Sequence, residues 1–182
     1  MLLVSDATIL RWFPPLRCAW AAEGSQASVV ITGENAKRTL WGALNPCTGH
    51  RVVTASRGCT QEAFMDFLRA LRRAYPGRTL LLLLDRASCH TAQKSQALAA
   101  RLDIHLLWLP KQHPELSCMD QLWRALKQHI SSNRQYPGIE LHVDAAVLWL
   151  LSLTRTQALR KAGALAKGFW LRHLLESFWL PT

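Results

Sequence analysis

Three acidic residues stand where separate predicted elements end or begin. Asp6 follows the first predicted strand, Asp85 comes directly after the leucine run Leu80–Leu84, and Asp120 lies in the first turn of a predicted helix. If the two strands are neighbours, both carboxylates lie at one edge of a sheet, and the loop after Pro110 can bring Asp120 to the same place. Three carboxylates together favour hard divalent cations such as Mg²⁺. Two such ions can activate an attacking hydroxyl and stabilise the leaving oxygen of a phosphodiester.

Each acid also has a simpler interpretation. Asp120 stands three residues after Ser117, where an acid completes a helix cap and meets the positive end of the helix dipole. Asp6 fits an ordinary Ser-Asp turn. Asp85 lies where open α/β sheets bind ligands, and ordinary turn chemistry is an equal alternative. His90 is close enough in sequence to Asp85 to act near the metals, and a capping or packing role is an equal alternative.

The chain is strongly basic and long enough to bury a core. Its 182 residues are 49% apolar and 19% charged, the balance of a globular protein rather than of a disordered tail. Lysine and arginine number 22 against 12 acids, which gives a net charge of +10. Eight of these cations and only two acids lie between Gln121 and His173. This excess predicts a polyanionic partner, either nucleic acid or an anionic membrane surface.

Several classes of protein are excluded by what the sequence lacks. The longest apolar stretch, residues 145–153, is far short of the ~20 residues that span a bilayer. The N-terminal residues do not have the pattern of a secretory signal. We therefore expect a cytoplasmic protein. Five widely spread cysteines without a Cys-x-x-Cys pair indicate reduced thiols rather than disulfides or a zinc knuckle. The motifs of zinc proteases, serine hydrolases and P-loop enzymes are missing.

The first half of the chain is predicted to form strands followed by one helix. Apolar runs bounded by turn residues predict an antiparallel meander over residues 2–5, 28–32, 38–44 and 50–55. From Thr60 the period changes to that of an amphipathic helix that covers the sheet. Its apolar stripe consists of Phe64, Phe67, Leu68 and Leu71.

The second half alternates strands and helices and then becomes helical. Thr79–Leu84 is apolar at nearly every position, as in a strand covered on both faces, and Ile104–Leu109 predicts the next parallel strand. A helix capped by Thr91 connects these two strands, and another helix opens at Ser117. The rest of the chain has a helical pattern.

Two segments resemble the nuclease domain of bacterial insertion-sequence transposases related to the mariner group. LLLLLDRASCH is similar to the family's strand with its catalytic Asp and downstream His, and LLWLPKQHPELSCMDQLWRALK is similar to its Pro-rich loop leading to an acid and a Trp. The resemblance implies a ribonuclease H-like α/β fold, in which an antiparallel three-strand meander followed by parallel strands is flanked by helices. We assign a catalytic domain to residues 1–136 and a C-terminal helical extension packed on it to residues 137–182.

The resemblance also implies roles for individual residues. Asp6, Asp85 and Asp120 fall on the family's three catalytic acids and are expected to hold two Mg²⁺ or Mn²⁺ ions. His90 and Ser117 are expected to orient the site. The cations expected to bind DNA are Arg86, Lys111, Arg124 and Lys127.

The chain departs from the family pattern at several points. Arg86 stands where the family usually has Asn, and a fixed cation there competes with divalent ions unless its side chain turns to the other face or to DNA phosphate. Ser117 and Cys118 replace the usual Asn and Pro, and serine keeps the capping chemistry of a helix start. The sequence starts at the first catalytic strand, so we expect the family's helix-turn-helix modules, which read the ends of the element, to be supplied by a separate chain.

Together these observations predict a transposase catalytic domain that cuts DNA and transfers strands at the ends of a mobile element. Water is the expected first nucleophile and a freed 3′ hydroxyl the second. The expected partners are element-end and target DNA, a separate chain that carries the helix-turn-helix modules, and a second copy in a homodimer, at the bacterial nucleoid and away from membranes. Two alternatives stay open: a catalytically silent DNA-binding or interaction remnant, and a cellular ribonuclease H or junction resolvase.

Overall fold

A five-stranded mixed sheet lies at the centre of the protein. The computed structural model describes residues 1–18, 20, 22–25, 28–110, 113 and 116–173. Its strands are β1 (Leu2–Arg11), β2 (Lys37–Leu44), β3 (Arg51–Ser56), β4 (Leu80–Leu84) and β5 (Ile104–Trp108). Its helices are α1 (Gln61–Ala74), α2 (Ser88–Thr91), α3 (Gln93–Arg101), α4 (Cys118–Leu126), α5 (Ile139–Ser152) and α6 (Arg155–Lys161). A π-helical turn, Lys127–Ser131, continues α4.

The strand order explains how distant parts of the sequence meet. Across the sheet the strands lie in the order β3, β2, β1, β4, β5. β2 runs antiparallel to both β1 and β3, while β4 pairs in parallel with β1 and with β5. An antiparallel meander followed by parallel strands is therefore confirmed. β1 is the middle strand, with β4 on the edge that β2 leaves open.

Apolar side chains on the two faces of the sheet form two separate cores. The alternation of side chains along β1 divides them, because Val4 and Leu10 face one core and Leu3 faces the other. The first core is covered mainly by α4 and α5, and the second by α1 and α3. The largest side chains buried in the second core are Trp41, Phe64 and Phe67.

One predicted strand is longer than expected and another is absent. β1 continues past Ser5 to Arg11, because it pairs with β2 as far as Arg11 opposite Lys37. Residues 28–32 form no strand. Since β2 and β4 take both edges of β1, this run finds no partner there, and Val30 is left 89% exposed.

The helix predicted after Thr60 is present as α1 and the helix predicted between β4 and β5 is present as α3, but the predicted cap of α3 is wrong. The four residues of the predicted stripe of α1 are buried, and the N–H of Ala63 donates to Thr60 Oγ1 at 3.2 Å, which caps the helix. Thr91, in contrast, does not cap α3. It lies inside the short helix α2, and Ala92 occupies the cap position without a side-chain hydrogen bond.

Arg51 attaches the C-terminal helices to the edge of the sheet. Its guanidinium donates to the carbonyl oxygens of Leu150 and Leu153 and, at 3.0 Å, to that of Leu151. These carbonyls belong to the last turn of α5 and the residue after it, where a helix leaves acceptors unpaired and a positive charge is favourable. The cation therefore links β3 to the C-terminal end of α5.

The helices after residue 137 share the first core with the sheet. Val143, Ala146 and Leu150 of α5 and Ala158 of α6 are buried there. The division at residue 137 stays a prediction, and residues 174–182 of the proposed extension lie outside the described residues. Within the part of the chain that the structure describes, no helix is long and apolar enough to cross a bilayer.

Candidate active site

Strands β1 and β4 bring Asp6 and Asp85 side by side. The two strands pair in parallel with Val4 opposite Leu83, and the same register continued by two residues sets Asp6 level with Asp85. β4 ends at Leu84, whereas β1 runs on. Asp6 therefore lies within a strand, and the prediction that it follows the strand is wrong.

Asp120 reaches the same place from the first turn of α4. Together with Asp6 and Asp85 it lines one open cleft of about 520 Å³. The cleft is completed by Ser5, Arg86, Ala87, Leu109, Pro110, His113 and Ser117. Three acids from three distant parts of the sequence thus converge on one cavity.

Asp6 is the acid whose ionisation is most affected by this surrounding. Burial, followed by the negative charges of Asp85 and Asp120, raises its pKa from 3.8 to about 6, although a backbone hydrogen bond from Ala7 and the nearby His90 act in the opposite direction. At neutral pH the carboxylate is therefore ionised at a cost in free energy. A cation placed between these acids would remove that cost.

Asp85 is held by a buried histidine. Asp85 Oδ1 accepts from His90 Nδ1 at 2.7 Å and from the N–H of Ala87 at 3.0 Å. The hydrogen bond from His90 is the main reason that the pKa of Asp85 lies below its ordinary value. The imidazole is 4% exposed and packs against Phe64 and Trp41, whereas the Asp85 side chain is 59% exposed. The ring is fixed in the core while the carboxylate it orients faces the cleft.

Ser117 does not cap α4 in the way the sequence predicts. It occupies the N-cap position, but its hydroxyl accepts no hydrogen bond from the helix. Its Oγ is buried and has no hydrogen-bond partner among the residues that the structure describes, although the residue lines the cleft. A buried hydroxyl without a partner is costly, and this one is placed where an incoming ligand can bond it.

Replacing Ser117 by alanine is therefore expected to raise the free energy of unfolding by about 1 kcal/mol, because an unpaired buried hydroxyl is removed. A serine that capped the helix would give the opposite sign, a loss of about 1 kcal/mol. Urea denaturation followed by circular dichroism measures the difference. A lowered midpoint for Ser117→Ala would contradict the orphaned hydroxyl.

Two of the cations expected to bind DNA lie close to the acids, on α4 and the π-helical turn that continues it. Arg124 Nη2 lies 2.8 Å from Asp120 Oδ2, one helical turn away, and is 75% exposed. Lys127 is half-buried. Burial lowers its pKa, against the opposing influence of Asp120 and Asp6, whose charges favour the ammonium form. Lys111 lies outside the described residues.

Arg86 turns towards an aromatic ring at the rim of the cleft. Its guanidinium carbon lies 5.9 Å from the centroid of the Trp108 ring, in a cation–π contact. The side chain is exposed and also lines the cleft. Its charge is therefore held at the rim, where a phosphate group can meet it.

The donor set in the cleft fits a hard divalent cation. Three carboxylates line it, and the Asp6 anion is destabilised first by burial and then by the charges of the other two. In the described part of the chain, no group of three or more His, Cys, Asp or Glu side chains is arranged to hold a metal ion by itself. Mg²⁺ requires no such cage, because it keeps several waters and binds one or two carboxylates together with substrate phosphate. The role of the acids as ligands stays a prediction.

The sequence did not predict two neighbours of the acids, His113 in the lining of the cleft and Trp108 in contact with Arg86. Trp108 ends β5 and receives Arg86, and His113 lines the cavity from the loop between β5 and α4. One feature of the sequence could have indicated both residues: they lie at the start of, or within, the loop that connects β5 to α4, and the ends of these elements lie near the acids. Neither residue is as close in sequence to Asp6, Asp85 or Asp120 as His90 is to Asp85, so spacing alone could not find them.

Comparison with known proteins identifies the family. The model of the DDE superfamily endonucleases matches residues 1–141, and the chain belongs to this family. The insertion element IS630 uncharacterized 39 kDa protein of Shigella sonnei is 27% identical over 124 residues, which cover 67% of this chain and 36% of that protein. The chain therefore spans about a third of the length of this curated relative.

Solved structures show the same fold. The mariner Mos1 paired-end complex with Mg matches with a TM-score of 0.71 and 16% identity, over 96% of this chain and 55% of that chain. The Mos1 transposase paired-end complex with left transposon end matches with a TM-score of 0.67 and 17% identity, over 92% of this chain and 53% of that chain. The ribonuclease H-like α/β fold is confirmed.

Proposed function

We propose that this chain is the catalytic domain of an insertion-sequence transposase, which cuts DNA at the ends of a mobile element and joins the freed end to target DNA. The observation that carries the proposal is the convergence of Asp6, Asp85 and Asp120 in one open cleft. Family membership and the fold support it. Because the chain spans only part of its relatives, the full transposition reaction belongs to the proposal.

The three carboxylates are proposed to hold two Mg²⁺ or Mn²⁺ ions. When bound, these ions would supply Lewis-acid stabilisation to the scissile phosphate and to the attacking and leaving oxygens. A structure of Mos1 is a complex with Mg, which supports a divalent cation for this fold. Here Asp6 provides the most strongly desolvated carboxylate and Asp85 an oriented one.

The remaining groups of the cleft position the reacting phosphodiester. His90 fixes the Asp85 carboxylate through its hydrogen bond of 2.7 Å. The unpaired hydroxyl of Ser117 can donate to a phosphate oxygen that enters the cleft. Arg86 and Lys127 supply positive charge beside the acids, so the DNA backbone is attracted to a site that would otherwise repel it. Water attacks first, and a freed 3′ hydroxyl attacks target DNA second.

DNA is the proposed polyanionic partner because of the charge as well as the fold. The net charge of +10 favours contacts to phosphates, which provide affinity without reading sequence. The Mos1 complex with a left transposon end supports DNA as the ligand. We further propose that a separate chain or segment with helix-turn-helix modules recognises the element ends, that two copies of this chain act together, and that they do so at the nucleoid in the bacterial cytoplasm.

The proposal is tested by cleavage of supercoiled plasmid. The purified chain is expected to nick it with Mg²⁺ or Mn²⁺ and not with EDTA. Asp85→Asn should fall to the EDTA level, since the oriented carboxylate is lost. Asp66→Asn is the matched control, because Asp66 is an exposed acid on α1, where it pairs with Arg69.

Other substrates separate the alternatives. A preference for RNA–DNA hybrid or four-way junctions over plasmid would assign the chain to a ribonuclease H or a resolvase. DNA binding without metal-dependent cutting of any of these substrates would indicate a silent remnant.

A further inference from the structure

Two cysteines outside the cleft lie in direct contact. The Sγ atoms of Cys59 and Cys89 are 3.5 Å apart. Cys59 is exposed in the connection between β3 and α1, and Cys89 is 5% exposed in α2. The two residues are thirty positions apart in sequence, so their contact is a product of the fold and not of local spacing.

The geometry allows a covalent bond between these thiols with a small movement. A disulfide requires the sulfur atoms to approach to about 2.05 Å. The segments that carry them are short: a loop that contains Gly58, where an added Cβ would come no closer than 3.8 Å to Thr60 Cγ2, and one helical turn of four residues. The loop can shift without unpacking a strand, whereas a shift of α2 also displaces the His90 ring from its contacts with Phe64 and Trp41.

We propose that Cys59 and Cys89 are an oxidation site, at which a peroxide converts the pair to a disulfide. Cys59 is oxidised first, because it is exposed, whereas burial and the neighbouring Cys59 thiol raise the pKa of Cys89 to about 12. One molecule of hydrogen peroxide converts the Cys59 thiol to a sulfenic acid and releases water. The Cys89 sulfur then attacks the Cys59 sulfur, and the sulfenic oxygen leaves as a second water with the proton of Cys89. Two thiols are oxidised and one peroxide is reduced.

The bond would act on the candidate active site through one residue. Cys89 is followed by His90, which holds the carboxylate of Asp85. Movement of α2 towards Cys59 moves this imidazole, and displacement of a positioned group by about 1 Å can reduce a rate by two orders of magnitude. This consequence rests on the proposed function. Formation of the disulfide does not.

The bond itself is tested by counting thiols. The full chain, treated with hydrogen peroxide under native conditions, is expected to lose two of its five titratable thiols and to give a peptide that links Cys59 to Cys89 on proteolytic mapping. Cys59→Ser should abolish this peptide. Cys47→Ser, at another exposed cysteine, should leave it unchanged. Absence of the linked peptide from the folded chain, or its formation only in urea, would overturn the proposal.

The effect on the site is read separately by plasmid nicking. The oxidised chain is expected to cut about tenfold more slowly, with recovery after dithiothreitol, and Cys59→Ser should be insensitive to peroxide. A linked peptide with unchanged nicking would confine the proposal to an oxidation site without control of catalysis. Formation of the disulfide in a chain that cuts no DNA would count against the proposed function and not against the oxidation site.

Discussion

Asp6→Asn is expected to stabilise the folded protein and at the same time to abolish metal-dependent cleavage. The pKa of Asp6 is raised from 3.8 to about 6 in the folded state, so ionisation at pH 8 opposes folding. The neutral side chain of Asn removes this destabilisation, and the free energy of unfolding without metal should rise by about 3 kcal/mol. Removal of one of the three proposed metal ligands should lower the cleavage rate by about a thousandfold, equivalent to about 4 kcal/mol.

The pH dependence of stability tests independently whether the ionised Asp6 destabilises the folded protein. For an acid whose folded pKa is raised, the destabilising contribution is complete above about pH 6 and disappears as the pH falls towards 3.8. The difference in stability between Asp6→Asn and the natural chain should therefore be largest at pH 8 and shrink towards pH 4. Half-buried His50 and buried His142, whose pKa values are lowered mainly by desolvation, act in the opposite direction in both proteins and cancel in this difference.

Urea denaturation at several pH values, with and without Mg²⁺, measures these effects. Mg²⁺ is expected to raise the unfolding midpoint of the natural chain, by mass action on the folded state, and to have little effect on Asp6→Asn. Asp66→Asn serves as the control for the loss of an exposed carboxylate. A less stable Asp6→Asn, or one that still responds to Mg²⁺ and cuts DNA, would remove Asp6 from the proposed site.

Gly42→Ala is expected to damage both the fold and the site, although it adds a single methyl group. Gly42 lies opposite Asp6 on β2, under α4. A Cβ atom there would approach Met119 Cε to 2.6 Å and the Trp123 ring to 2.7 Å. Overpacking of this kind costs about 1–3 kcal/mol, which exceeds the gain from a less flexible unfolded chain, about 0.4–1 kcal/mol. The two residues flank Asp120 on α4, so the same displacement moves a proposed ligand.

Stability and cleavage of this variant are best measured beside two others. Gly58→Ala is a matched control, because its added Cβ meets no atom closer than 3.8 Å. Trp123→Leu in the Gly42→Ala background removes the ring that clashes and should restore part of the lost stability. Unchanged stability of Gly42→Ala, with cleavage intact, would show that α4 does not pack on this glycine as described.

The sheet could be predicted largely from the sequence, and its first strand shows where that stops. Leu80–Leu84 is apolar throughout, and the stripe of α1 has an unambiguous helical period, so both elements follow from burial alone. The end of β1 could not be predicted from burial alone. Ser5 and Asp6 are turn-forming types, and the strand continues through them because β2 supplies hydrogen bonds as far as Arg11. Pairing with a distant strand outweighs local preference.

The candidate acids could be identified from the sequence, but the side-chain contacts around the site could not. The sequence places Asp85 and Asp120 at the ends of elements, which is enough to suggest convergence. It does not show that His90 is buried against Phe64 and bonded to Asp85, that Ser117 is unpaired, or that Cys59 touches Cys89. Each of these depends on which faces of two elements meet, and that is decided by packing across the whole molecule.

The contact of Arg51 with the end of α5 is expected to couple the local unfolding of β3 to that of the helix. A guanidinium shared among three carbonyl oxygens cannot release the helix one bond at a time without leaving a charge unsatisfied. The amide protons of β3 and of the last turn of α5 should therefore exchange with deuterium as one cooperative unit. Arg51→Met should uncouple the two rates, so that the helix end frays while the edge strand stays protected.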